Sequence, residues 1–78
     1  MDNKKKDLNL IMMYLNGWEE ESRIEPGGKV LRAWKGYPFD VINALEKEKM
    51  IRQYDKSLII TKEGISRAEG LKHQYLKT

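Results

Sequence analysis

The chain has 78 residues, no cysteine and a formal net charge of +3 at pH 7. The lack of cysteine excludes disulfides and thiolate metal sites, and it fits a reducing compartment. A chain this short buries only about 60% of the surface that its unfolded form exposes, so its core is small. We therefore expect a single domain over residues 1–78, for which association between chains would be one source of stability.

The amino-terminal region has the outline of a secretion signal, with a lysine run at residues 4–6 before the apolar run LNLIMMYL. Asn9 interrupts that run, and no small-residue cleavage site follows it. No apolar stretch approaches the roughly 20 residues that a membrane helix needs. We therefore expect a cytoplasmic protein without a membrane partner.

The first predicted element is a helix over residues 3–20, capped by Asp2 or Asn3. Its apolar residues recur at helical spacing along one stripe: Leu8, Ile11, Met12, Leu15 and Trp18. Trp18 continues this register past Asn16-Gly17, a pair that could weaken the helix. We predict that the stripe packs in the core and does not form a ligand site.

Residues 22–28 contain a proline and a glycine pair, so they should form a loop. The apolar positions of the next segment fit a two-turn helix, although a short strand would use the same residues: Val30, Leu31 and Trp34. We predict a helix over residues 29–35.

Gly36 can end that helix in the left-handed conformation, and Pro38 suits the first turn of a second helix over residues 38–48. The second helix would bury one apolar face: Phe39, Ile42 and Leu45. Two helices joined by a glycine-containing turn make a helix-turn-helix unit.

Two short runs rich in β-branched and aromatic residues flank Asp55-Lys56, and they predict a hairpin over residues 51–60. Thr61 is a suitable cap for a last helix over residues 62–77, and Glu63 suits the positive end of its dipole. The apolar stripe of that helix is Ile65, Ala68, Leu71, Tyr75 and Leu76.

The sequence contains no combination of residues typical of catalysis. His73 is the only histidine, and no cysteine or second histidine is present to complete a metal site. The carboxylates resemble those of solvated helix faces. We predict that the protein is not an enzyme and needs no cofactor.

The second helix of a helix-turn-helix unit enters the major groove of DNA, where its exposed side chains contact bases. Here that face presents Asn43 and Lys47, which could read adenine and reach guanine or phosphate. Asp40 and Glu46 dilute its charge, and an ordinary solvated helix would show the same residues. Four side chains of the turn and the hairpin would add contacts to the DNA backbone: Lys35, Tyr37, Arg52 and Lys56.

From Phe39 to about Tyr75, the pattern FDVINALEKEKMI…SLIITKEGISRAE resembles the winged-helix half of small bacterial regulators of the MarR and PadR type. The resemblance implies a mostly helical α+β fold, a winged helix-turn-helix with a short two-stranded wing. In those proteins a glycine usually stands where this chain has Lys49. We therefore expect Lys49 to adopt the left-handed conformation.

The run RAWKGYPFDVINAL, residues 32–45, is similar to the signature of a family of small uncharacterised bacterial proteins. Their signature is an Ala-Trp-Lys-Gly-aromatic motif before Phe-Asp-Val-Leu. The resemblance implies that five residues form a defining unit: Arg32, Trp34, Lys35, Gly36 and Tyr37. We expect this unit to be architectural, with Trp34 anchoring the turn and Gly36 letting the chain reverse. The alternative is that the unit forms a recognition site.

These features predict a protein that binds double-stranded DNA and acts as a transcriptional regulator. The alternative is a protein–protein interaction module on the same winged-helix scaffold. It is motivated by the near-neutral second helix and by Trp34 and Tyr37, because Trp, Tyr and Arg dominate interface energies.

We also expect a homodimer, since winged-helix regulators that read two half-sites are usually dimeric. The terminal helices offer the surplus apolar surface for it: Met13, Tyr14, Leu71, Tyr75 and Leu76.

Overall fold

The computed structural model of the protein describes residues 3–21 and 28–76. This part of the chain contains three helices and four strands: α1 (Asn3–Asn16), β1 (Trp18–Glu21), β2 (Lys29–Trp34), α2 (Phe39–Lys47), β3 (Ile51–Gln53), β4 (Ser57–Ile60) and α3 (Lys62–Leu76). The predicted α+β class is therefore confirmed. Asp2, residues 22–27 of the predicted loop and residue 77 of the predicted last helix lie outside the described residues.

The strands form an antiparallel sheet in the order β1-β2-β4-β3. Ala33 lies opposite Leu58, and Ile51 lies opposite Ile60. Directly opposed residues point to the same face of a sheet, and these four are buried. They join buried residues of the helices in one core: Leu10, Ile11, Met13, Val41, Ile42, Leu45, Ala68 and Leu71.

Residues 29–34 form strand β2, so the helix predicted at residues 29–35 is wrong. β2 pairs on both sides, with β1 and with β4, and this pairing satisfies its backbone. Leu31 and Ala33 both face the core, which residues two apart achieve on a strand and not on a helix. Gly36 follows no helix and is not left-handed. Of the predicted helix-turn-helix unit, only its second helix, α2, is present.

α1 ends at Asn16, before the predicted end at residue 20, and Trp18 begins strand β1. Gly17 lies so close to its surroundings that a Cβ there would be 3.0 Å from the carbonyl oxygens of both Met13 and Arg32. Glycine permits this approach because it has no Cβ, so the chain can leave the helix here and pair with β2. Trp18 therefore belongs to the sheet and not to a helical core stripe.

The rotation of α1 also differs from the prediction. Its buried residues are Asp7, Leu10, Ile11 and Met13. Three members of the predicted stripe are exposed: Leu8, Met12 and Leu15. Leu10, Ile11 and Met13 pack in the core, and two ion pairs accompany this rotation. Lys6 contacts the Glu48 carboxylate next to α2, and Asp7 Oδ1 lies 3.7 Å from the Arg67 guanidinium of α3.

The predicted elements of the second half of the chain are confirmed for α2, the β3–β4 hairpin and the start of α3. The predicted buried face of α2 is wrong at Phe39, which is 76% exposed, and Val41 is buried beside Ile42 and Leu45 instead. Thr61 caps α3, because its Oγ1 accepts a hydrogen bond from the Gly64 N–H at 3.0 Å. The Thr61 hydroxyl lies 2.7 Å from the Lys49 carbonyl oxygen and donates back to the turn after α2. Lys49 has φ 64°, the left-handed conformation that the resemblance implied.

Replacing Lys49 with glycine is expected to raise the free energy of unfolding by about 1 kcal/mol. The left-handed conformation costs an L-residue roughly 1–2 kcal/mol, of which the greater freedom of glycine in the unfolded chain offsets a part. Lys49→Ala is the matched control, since it removes the charge and keeps the strained backbone. Urea unfolding of both variants checks the prediction, and an equal effect of the two would contradict it.

Candidate interaction surface on the open face of the sheet

The strand registers place one residue of each strand in a row across the sheet: Trp18, Arg32, Ile59 and Arg52. The row faces away from the core, because successive residues of a strand alternate and its neighbours Ala33 and Leu58 are buried. We call this surface the outer face. It comprises Trp18, Glu20, Val30, Arg32, Trp34, Arg52, Ser57 and Ile59, with Tyr54 directly after β3. All of these residues are half-buried or exposed.

Glu20 holds two side chains of the outer face in place. Its Oε1 accepts a hydrogen bond from Trp18 Nε1, and its Oε2 accepts one from Arg32 Nε, both at 2.8 Å. Arg32 also donates from Nη1 to Ser57 Oγ at 2.8 Å, and its Cζ lies 5.6 Å from the centre of the Tyr54 ring. The guanidinium is thus ordered by neighbours on three other segments of the chain.

Trp34 is the most prominent apolar side chain of the outer face, with 65% of its surface exposed. Its ring centre lies 5.1 Å from that of Trp18, and the two rings are tilted by 48°. The prediction that Trp34 anchors the turn within the architecture is therefore wrong, because the side chain projects from a strand into solvent. A large exposed aromatic group supported by a second ring is typical of an interaction site.

A groove of about 870 Å³ adjoins the outer face along β3 and β4. On the side of the outer face, the groove is lined by Val30, Arg52, Tyr54 and Ile59. Further along, it is lined by the first turn of α3. The groove extends the accessible apolar surface beyond the tryptophan pair. A partner seated on Trp34 would therefore have a second region to fill.

The outer face has little net charge, since its charged residues are Arg32, Arg52 and Glu20. The Arg32 guanidinium is paired with the Glu20 carboxylate. Lys35, at the end of β2, donates from Nζ to the Tyr54 carbonyl oxygen at 3.0 Å. The outer face therefore has the Arg32–Glu20 ion pair among its aromatic and apolar side chains, with Arg52 on the edge strand and Lys35 at its border.

The residues predicted to bind DNA are divided between two parts of the fold. Arg52 belongs to the outer face, Lys35 borders it, and Lys56 is exposed in the turn between β3 and β4. Tyr37 is half-buried and packs against the core, so it is less available for contact than predicted.

Asn43 and Lys47 are exposed on α2, one helical turn apart. The Asn43 amide oxygen accepts a hydrogen bond from Gln53 Nε2 at 3.1 Å. The Glu46 carboxylate binds the same Gln53 side chain at 3.0 Å and also its backbone N–H at 2.9 Å. This part of α2 therefore covers the free edge of β3.

Trp18, Glu20, Tyr54 and Ser57 were not identified as site residues from the sequence. The sequence contained one signal for the outer face itself, the alternation in VLRAW. On a strand, this alternation places Arg32 and Trp34 on the face opposite Ala33. The contribution of β1 has no comparable signal, since the acidic run WEEE does not alternate.

A separate small depression is lined by Tyr14, Glu69, Lys72 and His73. The Tyr14 hydroxyl donates to Glu69 Oε2 at 3.3 Å. Burial raises the pKa of Tyr14 above its ordinary value, and the negative charge of Glu69 raises it further. The phenol therefore stays neutral and acts as a donor at physiological pH.

Among residues 3–21 and 28–76, no group of three or more His, Asp or Glu side chains is placed to hold a metal ion. Within the same ranges, no helix combines the length and the apolar character needed to cross a membrane.

The family model of a domain of unknown function (DUF6429) matches residues 1–78, so the chain belongs to this family. Its description names no ligand, partner or reaction. No curated protein and no solved structure matches the chain.

Proposed function

We propose that this protein is a protein–protein interaction module that binds its partner through the outer face of the sheet. The observation that supports this function is the exposure of Trp34 on a supporting ring, Trp18. Trp, Tyr and Arg are the residues in which interface binding energy is concentrated, and the outer face presents all three together.

The order already present in the site favours binding. Glu20 and Ser57 fix the Arg32 guanidinium in the free protein, so a partner does not have to order that side chain. The low net charge favours a protein over a nucleic acid, because phosphate backbones are bound mainly by lysine and arginine.

The first experiment identifies the partner by its contact with the outer face. A photo-crosslinking amino acid at position 54, which replaces an exposed aromatic residue of the outer face and leaves Trp34 in place, should trap one protein in cells, and the same label at position 39 should not. Phe39 is the matched control, because at 76% exposure it is another accessible aromatic residue, located on α2.

The second experiment measures the affinity of that partner for purified variants. Trp34→Ala should weaken binding roughly 30-fold, as expected for a central interface residue worth about 2 kcal/mol, and Phe39→Ala should leave it unchanged. The wild-type complex should persist at high salt. An equal effect of the two variants, or a complex that dissociates at moderate salt, would contradict the proposal.

Double-stranded DNA is the second candidate ligand, with α2 as recognition helix and the β3–β4 hairpin as wing. The exposure of Asn43 and Lys47 one turn apart on α2 favours it. We place it second because the Asn43 amide oxygen already accepts a hydrogen bond from Gln53 Nε2, which also donates to the Glu46 carboxylate.

The two candidates respond to different substitutions. If α2 and the wing bind DNA, Lys47→Ala and Arg52→Ala should lower the affinity for a duplex measured by gel shift at low salt. Each substitution should also reduce the slope of log affinity against log salt concentration by about one, the value for one phosphate contact. Trp34→Ala should then have no effect on the shift. Failure of micromolar protein to shift any duplex would remove this candidate.

A further inference from the structure

Two exposed aromatic side chains of the outer face stand on either side of strand β4. Trp34 of β2 lies opposite Ser57 of β4. On the other side of β4, the Tyr54 N–H donates to the Ser57 carbonyl oxygen at 2.8 Å. The backbones that carry the two rings are therefore two strand spacings apart, which is about 10 Å. Ser57 lies between them and is too short to cover either ring.

The polar side-chain groups of this surface that still lack a partner are mainly donors. Within the described residues, neither Trp34 Nε1 nor the Tyr54 hydroxyl makes a hydrogen bond. The Arg32 guanidinium has five N–H groups, of which one donates to Glu20 and one to Ser57. The acceptors are already engaged, because the Glu20 carboxylate and Ser57 Oγ bind these donors. A ligand that satisfies this surface therefore supplies acceptors.

We propose that the partner lays a proline-rich segment in the polyproline II conformation across β4, with prolines stacked on Trp34 and Tyr54. The inference rests on the proposed function, since it names the part of the protein partner that the outer face binds. A polyproline II helix has three residues per turn and rises about 3.1 Å per residue, so its residues i and i+3 share one side about 9.3 Å apart. This spacing matches the separation of the two aromatic positions.

The hydrogen-bonding groups of such a segment complement those of the outer face. Proline has no N–H, and the carbonyl oxygens of a polyproline II helix make no internal hydrogen bonds. They can therefore accept from Trp34 Nε1, the Tyr54 hydroxyl and the remaining Arg32 N–H groups. The segment is already extended before it binds, so little conformational entropy is lost in the complex.

A second copy of this chain fits the surface less well. It would bring the same donors and the same engaged acceptors, so the free donors of both copies would stay unsatisfied. Two residues predicted for a homodimer, Met13 and Leu71, are buried in the core and cannot take part in an interface. An acidic segment would supply acceptors, but the charge of Arg32 is already paired with that of Glu20.

Binding of capped synthetic peptides to the full chain tests the inference without a cellular partner. A peptide with proline at every third residue should bind with a dissociation constant of roughly 100 μM and shift the NMR signal of the Trp34 indole N–H. Trp34→Ala and Tyr54→Ala should each weaken binding roughly ten-fold. Phe39→Ala is the matched control and should have no effect, because Phe39 is an exposed aromatic residue of α2. Circular dichroism verifies that each variant is folded.

Two further peptides test the spacing and the chemistry of the ligand. A scrambled peptide of the same composition should bind roughly five-fold more weakly, and an oligoglutamate should not bind. The inference would be overturned by a proline-rich peptide that does not bind, by equal affinity of the scrambled peptide, or by preferred binding of oligoglutamate. If the proline-rich peptide fails but the cellular partner still depends on Trp34, the inference is wrong and the proposed function stands. If no cellular partner depends on Trp34, the proposed function itself is wrong.

Discussion

Replacing Gly64 with alanine is expected to lower the free energy of unfolding by about 3 kcal/mol or more. A Cβ at this position would lie 2.0 Å from the Met50 carbonyl oxygen and 2.8 Å from Ile60 Cγ2. The Met50 oxygen belongs to the backbone and accepts the Thr61 N–H at 3.0 Å, so it cannot move away without loss of that bond. The first turn of α3 would have to shift, and the Thr61 cap on the Gly64 N–H would be disturbed.

The control for this variant is Gly70→Ala in the same helix. A Cβ at Gly70 would have no neighbour within 4 Å, so this substitution should stabilise the protein by about 1 kcal/mol through helix propensity. The two variants therefore have opposite expected signs. Thermal unfolding distinguishes them easily, since each 1 kcal/mol shifts Tm by roughly 4–8 °C in a domain of this size. Equal effects would show that α3 does not approach Met50 as described.

Leu58→Ala should be the most damaging truncation in the sheet, with a loss of about 2–5 kcal/mol. Leu58 is fully buried on the central strand β4, where it lies opposite both Ala33 of β2 and Gln53 of β3. Its removal would leave a cavity between the sheet and the helices, and the close packing of such cores allows only partial collapse.

Ile59→Ala is the matched comparison, because the adjacent residue points to the outer face and is only half-buried. Its loss should be clearly smaller, since less apolar surface returns to water. Urea unfolding of both variants measures which face of the sheet holds the core. A larger loss for Ile59→Ala would place the core on the outer face and would remove the proposed interaction surface.

The features that could be predicted from the sequence alone depend on residues that are close together in the chain. The turn at Asp55-Lys56 and the Thr61 cap follow from backbone preferences within a few residues, whereas the left-handed Lys49 was expected only from the resemblance to proteins that carry glycine there. α2 was predictable for the same reason, since its apolar face has a clear helical period and Pro38 precedes it. These elements account for most of the second half of the chain.

The first half depends on pairing and packing between distant segments. The period of Val30, Leu31 and Trp34 fits both a helix and a strand, and only pairing with β4, more than twenty residues later, selects the strand. α1 has apolar residues on more than one side, so contacts with α2 and α3 decide which of them are buried.

The candidate site also depends on pairing between distant segments of the chain. Trp18 and Trp34 meet because β1 and β2 pair, and Tyr54 reaches Arg32 because β4 lies between their strands. The sequence indicated Arg32, Trp34 and Lys35 as a unit, but it predicted burial for the tryptophan. Exposure was decided by the tertiary structure, since the core lies on one face of this sheet and alternate residues of each strand, Trp34 among them, lie on the other.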